Sequence, residues 1–152
     1  LALTGSISVF TKSKRGLTRE GAMEELRFSI PLNPVTKKNS NVRTKNGMII
    51  ASKAYRHYEK EAVLLIPHWA KKHISTPVNI KATYYTKIDY YAPGRKAKID
   101  LTNLHNALHD TLVAAGVLAD DNCTIAYSTD GSRVRHDKGR PRTEVIITDA
   151  EP

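Results

Sequence analysis

Two stretches of the chain alternate apolar and polar residues with the period of two that is typical of half-buried β-strands. The first covers residues 24–30 and ends where prolines follow at positions 31 and 34. The second predicts a strand over about residues 78–88, and apolar segments at residues 125–127 and 144–148 predict two more. The alternation therefore predicts a four-stranded sheet.

Two other segments space their apolar residues at helical intervals. A helix is predicted over residues 53–65, with Ser52 as its N-terminal cap and Pro67 just beyond its end. A second helix is predicted directly after Asp100, because leucines recur at positions 101, 104, 108 and 112. Gly116 suits the C-terminal cap of this second helix.

The predicted elements follow one another as β, α, β, α, β, β. This order is typical of an α+β domain, with a small mixed β-sheet and two main helices. Asn46-Gly47 predicts a tight turn, and with it a small hairpin inserted before the first helix. Because residues 1–22 are rich in Ser, Thr, Gly and basic residues, we expect a flexible N-terminal extension there and a folded domain over residues 23–152.

The composition is that of one ordinary globular domain. The 152 residues are 40% hydrophobic and 26% charged, and their apolar runs are too short to form a transmembrane helix. Lys12 follows the brief apolar stretch at residues 7–10, which is the reverse of the order in a secretory signal. The single cysteine, Cys123, excludes an intramolecular disulfide. We therefore expect a cytoplasmic protein without a membrane partner.

The net charge of +9 is concentrated in three basic segments, at residues 37–45, 95–98 and 133–142. Charge runs usually form solvated faces, yet three basic loops in one domain with a pI of about 9.7 favour contact with a nucleic-acid backbone. The residues that we expect to contact DNA are Lys37, Lys38, Arg43, Lys45, Arg95, Lys96 and Lys98.

Acidic residues stand at both ends of the second predicted helix. Asp100 precedes the helix, whereas Asp120 and Asp121 follow its C-terminal loop. If the next strand pairs beside the strand that leads to Asp100, the carboxylates converge, and such oxygen ligands suit Mg²⁺ or Mn²⁺. These ions serve phosphodiester hydrolysis. The alternative is that the same acids cap a helix or form a solvated turn.

Residues 100–121 resemble the motif of the RusA family of Holliday junction resolvases, especially its phage-type members. The family pattern has an Asp, one spacer, a second Asp and an Asn that opens a helix, and then a Gly-containing turn and an Asp-Asp pair. The matching residues in this chain are Asp100, Asn103, Gly116, Asp120 and Asp121. The resemblance extends more broadly over about residues 26–149.

This resemblance implies a RusA-like fold and a homodimeric endonuclease that uses Mg²⁺ or Mn²⁺. Its activity would be to make paired, symmetric nicks in four-way DNA junctions during recombination and repair. The resemblance assigns Asp100, Asp120 and Asp121 to the metal site, and these three with Asn103 to the catalytic set. It also implies branched DNA as the partner and a bacterial, prophage or phage origin.

Two residues depart from the family pattern. Thr102 occupies the place of the second Asp, which removes a negative charge and a strong oxygen ligand. Asn106 stands where family members can carry a Lys that stabilises phosphate charge. These departures support a second hypothesis, that the chain binds DNA junctions without cleaving them. Cleavage of flaps or replication forks is a third.

Other polar residues of the second helix have more than one interpretation. Asp110 shares a helix face with Asn103 and Asn106, and it either reaches the metal or bonds Asn106 or a backbone group. His105 and His109 have a spacing that can bind a transition metal. Because the Glu of a zinc-protease motif is missing, surface or partner-facing histidines are the preferred interpretation.

Three aromatic residues lie outside the helices' periodic pattern. Tyr90 and Tyr91 either stack on bases at a DNA branch point or pack in the core, and as neighbours in an extended segment they point in opposite directions. Trp69 is expected to anchor the end of the first helix by packing.

Overall fold

The computed structural model describes residues 10–13, 16–19, 21–37, 41–51 and 53–152. The strands are β1 (Phe10–Ser13), β2 (Gly16–Arg19), β3 (Leu26–Ile30), β4 (Asn41–Arg43), β5 (Ile49–Ala51), β6 (Val78–Thr86), β7 (Ala126–Ser128), β8 (Arg133–His136) and β9 (Arg142–Asp149). The helices are α1 (Lys53–Leu65) and α2 (Leu101–Ala114), and a single 3-10 turn covers His68–Ala70. This arrangement confirms the predicted α+β fold with a mixed sheet and two main helices.

The main sheet has five strands, with β9 in antiparallel pairing between β3 and β6. The other edge of β6 pairs in parallel with β7 at its start and with β8 at its end. Asn79 bridges the gap between β7 and β8, since its Oδ1 accepts bonds from Ser128 Oγ and the Asp130 backbone N–H, both at 2.7 Å. β7 and β8 therefore lie end to end along one edge of β6.

One face of the sheet and the two helices share a single core. Alternate residues of β3, β6 and β9 are buried, as the period-two pattern of the sequence predicts. They pack with Tyr58 and Ala62 of α1 and with Leu104, Leu108 and Leu112 of α2. Complete burial of one such leucine contributes about 2 kcal/mol to stability. The helices therefore cover only one face of the sheet.

The ends of β6 determine where the acidic residues lie. The chain leaves the end of β6 at Thr86, reaches Asp100, and returns along α2. After α2 it rejoins the beginning of β6, where the Val78 N–H donates to the Ile125 carbonyl at 2.9 Å. The strand after Asp121 does pair beside β6, but at the end of β6 opposite to the one that leads to Asp100.

The predicted hairpin is present as β4 and β5, joined by a turn in which Gly47 has a φ of 78°. Ser52, the predicted cap of α1, lies outside the described residues. The packing role expected of Trp69 is wrong, because its side chain is 54% exposed while the adjacent Ala70 is buried.

Two features of the fold were not predicted from the sequence. β1 and β2 pair as an antiparallel hairpin within residues 1–22, and β8 adds a fifth strand to the main sheet. The division of the chain at residue 23 stays a prediction. The helices in the described part of the chain are too short or too polar to cross a bilayer.

Candidate functional site

Asp100 lies at the N-terminal end of α2 without capping it through its side chain. Its backbone carbonyl accepts the bond from the Leu104 N–H at 3.1 Å, whereas its side chain makes no capping bond. Instead, its Oδ2 accepts a bond of 3.3 Å from Nδ2 of the buried Asn103. Asp100 and Asn103 line a recess of about 360 Å³ with Thr36, Tyr90, Lys98 and Ile99. The exposed carboxylate therefore faces a polar recess.

Asp120 is engaged by its own turn. Its Oδ1 accepts a bond from the Asp121 N–H, and its Oδ2 accepts one from Asn122 Nδ2, each at 2.8 Å. These bonds, first the one from Asn122 and then the one from Asp121, lower the pKa of Asp120. The side chain of Asp120 therefore stabilises the loop that carries Asp121.

Asp121 lies beside Asp110 of α2. Loss of solvent raises the pKa of Asp121, and the negative charge of Asp110 with a hydrogen bond between the two side chains raises it further. Two neighbouring carboxyl groups repel each other when both are ionised, so a cation or a shared proton stabilises the pair.

Asp110 also pairs with Lys37, which in turn lies near α1. The Nζ of Lys37, from the segment after β3, forms an ion pair with Asp110 Oδ2. The same Nζ lies 5.6 Å from the centre of the Tyr55 ring of α1. The hydroxyl of Tyr55 donates to Glu59 Oε2 at 2.6 Å. Asp110 thus joins α2, α1 and the Lys37 segment to the loop of Asp121.

The acidic residues form two centres instead of one. Asp100 and Asp110 are ten residues apart on α2, a separation of about 15 Å along the helix axis. Asp121 contacts Asp110, at the later end of that span. No cluster of three or more Asp, Glu, His or Cys side chains suited to an ion is found in the described part of the chain. Asp110 and Asp121 form one acidic pair, and Asp100 lies toward the other end of α2.

Thr102 and Asn106, the two departures from the motif, both have exposed side chains on α2. Within the described part of the chain, neither side chain forms a hydrogen bond with Asp121. The oxygen donors beside Asp121 therefore come from Asp110.

The basic residues predicted to bind DNA fall into two groups. Arg43 and Lys45 are exposed at the β4–β5 turn, and Lys96 is exposed before α2. The others are tied to the protein: Lys37 to Asp110, Lys98 through its Nζ to the Tyr90 carbonyl at 3.0 Å, and Arg95 over the Tyr90 ring at 5.3 Å. Lys38 lies outside the described residues.

His105 and His109 are not fully exposed surface residues in the single chain, and whether they face a partner stays a prediction. Both rings are partly buried and nearly parallel, with centres 5.7 Å apart, and His105 Nδ1 is 2.7 Å from the hydroxyl of Tyr84. Burial, and then the neighbouring His109, lower the pKa of His105 to about 4. Burial also lowers the pKa of His109. Two neutral imidazoles therefore support α2 against β6.

The sequence did contain a signal for Asp110. It lies seven residues after Asn103, so both side chains occur on one helix face, and that face also begins near Asp100. The sequence could not show that Lys37 and Asp121, 73 and 11 residues away along the chain, both meet it.

Two comparisons with known proteins bear on this site. The family model described as Endodeoxyribonuclease RusA matches residues 31–148, which is more than half of the chain. The matched segment contains Lys37, Asp100, Asp110 and Asp121. A search of curated proteins gave no match.

Proposed function

Because this chain belongs to the RusA family of endodeoxyribonucleases, we propose that it is a divalent-metal-dependent nuclease that cuts four-way DNA junctions by paired, symmetric nicks. Membership of the family implies endonuclease activity on DNA junctions in general. The metal dependence, the paired cleavage and the residue roles are our proposal. The proposal is carried by the position of Asp121 beside Asp110, where the charge of Asp110 helps to raise the pKa of Asp121.

Asp110 and Asp121 have the chemistry of a magnesium or manganese site. Hard carboxylate oxygens suit these ions, and Mg²⁺ in particular is often held by only one or two carboxylates together with water and substrate phosphate. Loss of solvent, and then the negative charge of Asp110, raise the pKa of Asp121, and a bound cation would relieve the repulsion between the two carboxylates. When bound, such an ion supplies the Lewis acid that activates water and neutralises charge on the phosphate.

The surrounding residues orient this pair. The turn bonds of Asp120 fix the backbone of Asp121, while the ion pair with Lys37 fixes the side chain of Asp110. With a cation held by Asp110 and Asp121, Lys37 would be available to donate to a DNA phosphate, the role predicted for it from the sequence. Lys37 then supplies positive charge that Asn106 cannot supply.

Asp100 and Asn103 serve the other end of the same helix. We propose that they help to position the DNA strand that is cut, in a recess that Lys98 also lines. Carboxylates repel the phosphates of DNA. Both acidic centres can therefore approach a branched DNA backbone only if cations or lysines beside them offset that repulsion. A homodimer in the cytoplasm, with branched DNA as its partner, completes this proposal.

The test is a nicking assay on a synthetic four-way junction with added Mg²⁺ or Mn²⁺. We expect symmetric nicks from the wild type and about 100-fold slower cleavage from Asp121→Asn and from Asp110→Asn, because each change removes one ligand charge. Asp130→Asn is the matched control, since Asp130 is exposed in a surface turn. Its cleavage rate should equal that of the wild type.

The same assay decides between cleavage and binding alone. Wild-type protein that binds the junction but never nicks it would support the junction-binding hypothesis raised by Thr102 and Asn106. Flap and fork substrates in parallel reactions rank the three substrate classes. An Asp110→Asn protein as active as the Asp130→Asn control would remove Asp110 from the site.

A further inference from the structure

The outer strand β8 carries two arginines without a carboxylate partner among the described residues, and their side chains are bound to the rest of the protein only by a long hydrogen bond of 3.4 Å from Arg133 Nε to the Gly131 carbonyl. Arg133 and Arg135 are exposed, and neither forms an ion pair with any residue that the structure describes. Arg142 of β9 behaves differently. Its guanidinium pairs with Asp137 at 2.8 Å and Glu144 at 2.9 Å, and it stacks over Tyr85 at 3.7 Å. The two β8 arginines therefore offer free charge where Arg142 does not.

These arginines line a broad groove of about 870 Å³. Its walls are formed by Tyr85, Tyr91, Ser132 and residues 133–136. Arg133 and Arg135 are two positions apart on one strand, so their side chains point to the same side. His136 lies at the end of the same strand and adds a third polar group. The groove is thus lined mainly by cationic and aromatic side chains.

Tyr91 prevents another strand from pairing with the outer edge of β8, because it occupies a backbone acceptor there. Its hydroxyl donates to the Val134 carbonyl at 2.7 Å, although the side chain is 68% exposed. An added β-strand would need that carbonyl as an acceptor. The groove therefore fits a partner that binds arginine side chains, and their charge calls for a polyanion.

The groove lies on the opposite side of the sheet from the acidic pair. Tyr84 and Thr86 of β6 point into the core beneath the helices, so Tyr85 between them points away from α1 and α2. Asp110 belongs to α2, on the helix-covered side. A DNA duplex held at Asp110 and Asp121 leaves the groove free for a different duplex.

We propose that β8 and Tyr91 form a second DNA-binding surface, which holds the phosphate backbone of one arm of a branched DNA while the acidic pair engages another arm. The inference rests on the proposed function for the identity of the polyanion. It adds a physical basis for preferring branched over linear DNA. Arg133 and Arg135 donate to phosphates, and Tyr91 holds β8 in place beneath them.

The test compares junction binding by wild type and by the double variant R133Q/R135Q, without divalent metal so that no cleavage occurs. Dissociation constants are measured by fluorescence anisotropy between 50 and 200 mM salt. The slope of log K against log salt should fall in magnitude by about 2, since each lost phosphate contact removes about 0.9. The affinity for linear duplex should fall less than the affinity for the junction.

The control is R56Q/K60Q, which removes the same charge from exposed positions of α1. Its salt slope should match that of the wild type, and R133K/R135K should keep most of the slope because it keeps the charge. If the double variant fails to fold, R135Q alone should lower the slope by about 1.

Equal slopes for R133Q/R135Q and R56Q/K60Q would overturn the second surface. Greater aggregation without a change in slope would do so too, and would show that the arginines only protect a strand edge. The nicking assay separates this result from failure of the proposed function. If the wild type nicks junctions but the arginine substitutions do not change binding, only the proposal of a second DNA-binding surface is rejected.

Discussion

Asp120 and Asp121 are neighbours in the chain, yet their surroundings push their pKa values in opposite directions. Hydrogen bonds from Asn122 and from the Asp121 backbone favour the ionised form of Asp120. Loss of solvent and the charge of Asp110 disfavour the ionised form of Asp121. The first carboxylate therefore shapes the loop, and the second is the one that we propose binds a cation.

His105 is the residue whose ionisation should limit stability in acid. Its folded pKa of about 4 lies below its ordinary value of 6.5, so the unfolded chain binds more protons between these pH values. Stability contributed by the neutral ring is complete above pH 6.5 and is lost as the pH falls toward 4. Because the ring is only partly buried, we expect a loss of about 1–2 kcal/mol.

Urea unfolding at pH 7, 5.5 and 4.5 measures this effect. His105→Gln should lose less stability on acidification than the wild type, because Gln does not ionise. His57→Gln is the control, since the His57 side chain is 71% exposed beside Glu61. The prediction fails if both variants follow the wild-type pH profile.

At the scale of elements, the C-terminal end of α2 is fixed by a left-handed glycine and its hydrogen bonds. Its C-terminal end turns at Gly116, which has a φ of 79° and whose N–H donates to the Val113 carbonyl at 3.0 Å. The Gly116 carbonyl then accepts a bond from the His73 N–H at 2.9 Å. This glycine therefore directs the loop that carries Asp120 and Asp121 back toward β6.

Gly116→Ala should destabilise the protein by about 1 kcal/mol, because an L side chain is disfavoured at that positive φ. No atom of the described residues lies within 4 Å of the added Cβ, so the expected cost comes from the backbone alone. Chemical denaturation measures it.

Gly139→Ala is the matched control, with an added Cβ that meets only Asp137 Oδ1 at 3.8 Å. It should be neutral or slightly stabilising, since its backbone has no positive φ. Equal losses in the two variants would contradict the left-handed turn as the cause.

At the scale of the whole molecule, the sheet is covered by helices on one side and left open on the other. The acidic pair lies on the covered side and the β8 groove on the open side, so the two surfaces that we propose bind DNA are separated. A linear duplex reaches one of them at a time. Two copies of the chain would double both surfaces and align two nicking sites.

We predict that the protein is a dimer in solution, because two matched nicks need two active sites. Light scattering should give a mass twice the 16.9 kDa of the chain at the concentration of the nicking assay. Each junction should then be cut in two strands at symmetric positions. A monomer that cuts one strand at a time would contradict the paired mechanism.

Local sequence patterns were sufficient to predict the central elements of the fold and the family. The alternation in β3, β6 and β9, the leucine spacing of α2 and the glycine after it are local patterns, because backbone periodicity decides which side chains share a face. β8 escaped prediction because its four residues include three exposed basic side chains and no alternation. Its strand conformation comes from pairing with β6.

Which side chains meet depends on the packing of the folded chain. Asp121 pairs with Asp110 instead of Asp100 because the loop after α2 returns to the beginning of β6, whereas Asp100 follows its end. His105 is partly buried because α2 packs its ring against Tyr84. Such contacts join residues far apart along the chain, so they depend on packing and strand register, which local sequence patterns do not specify.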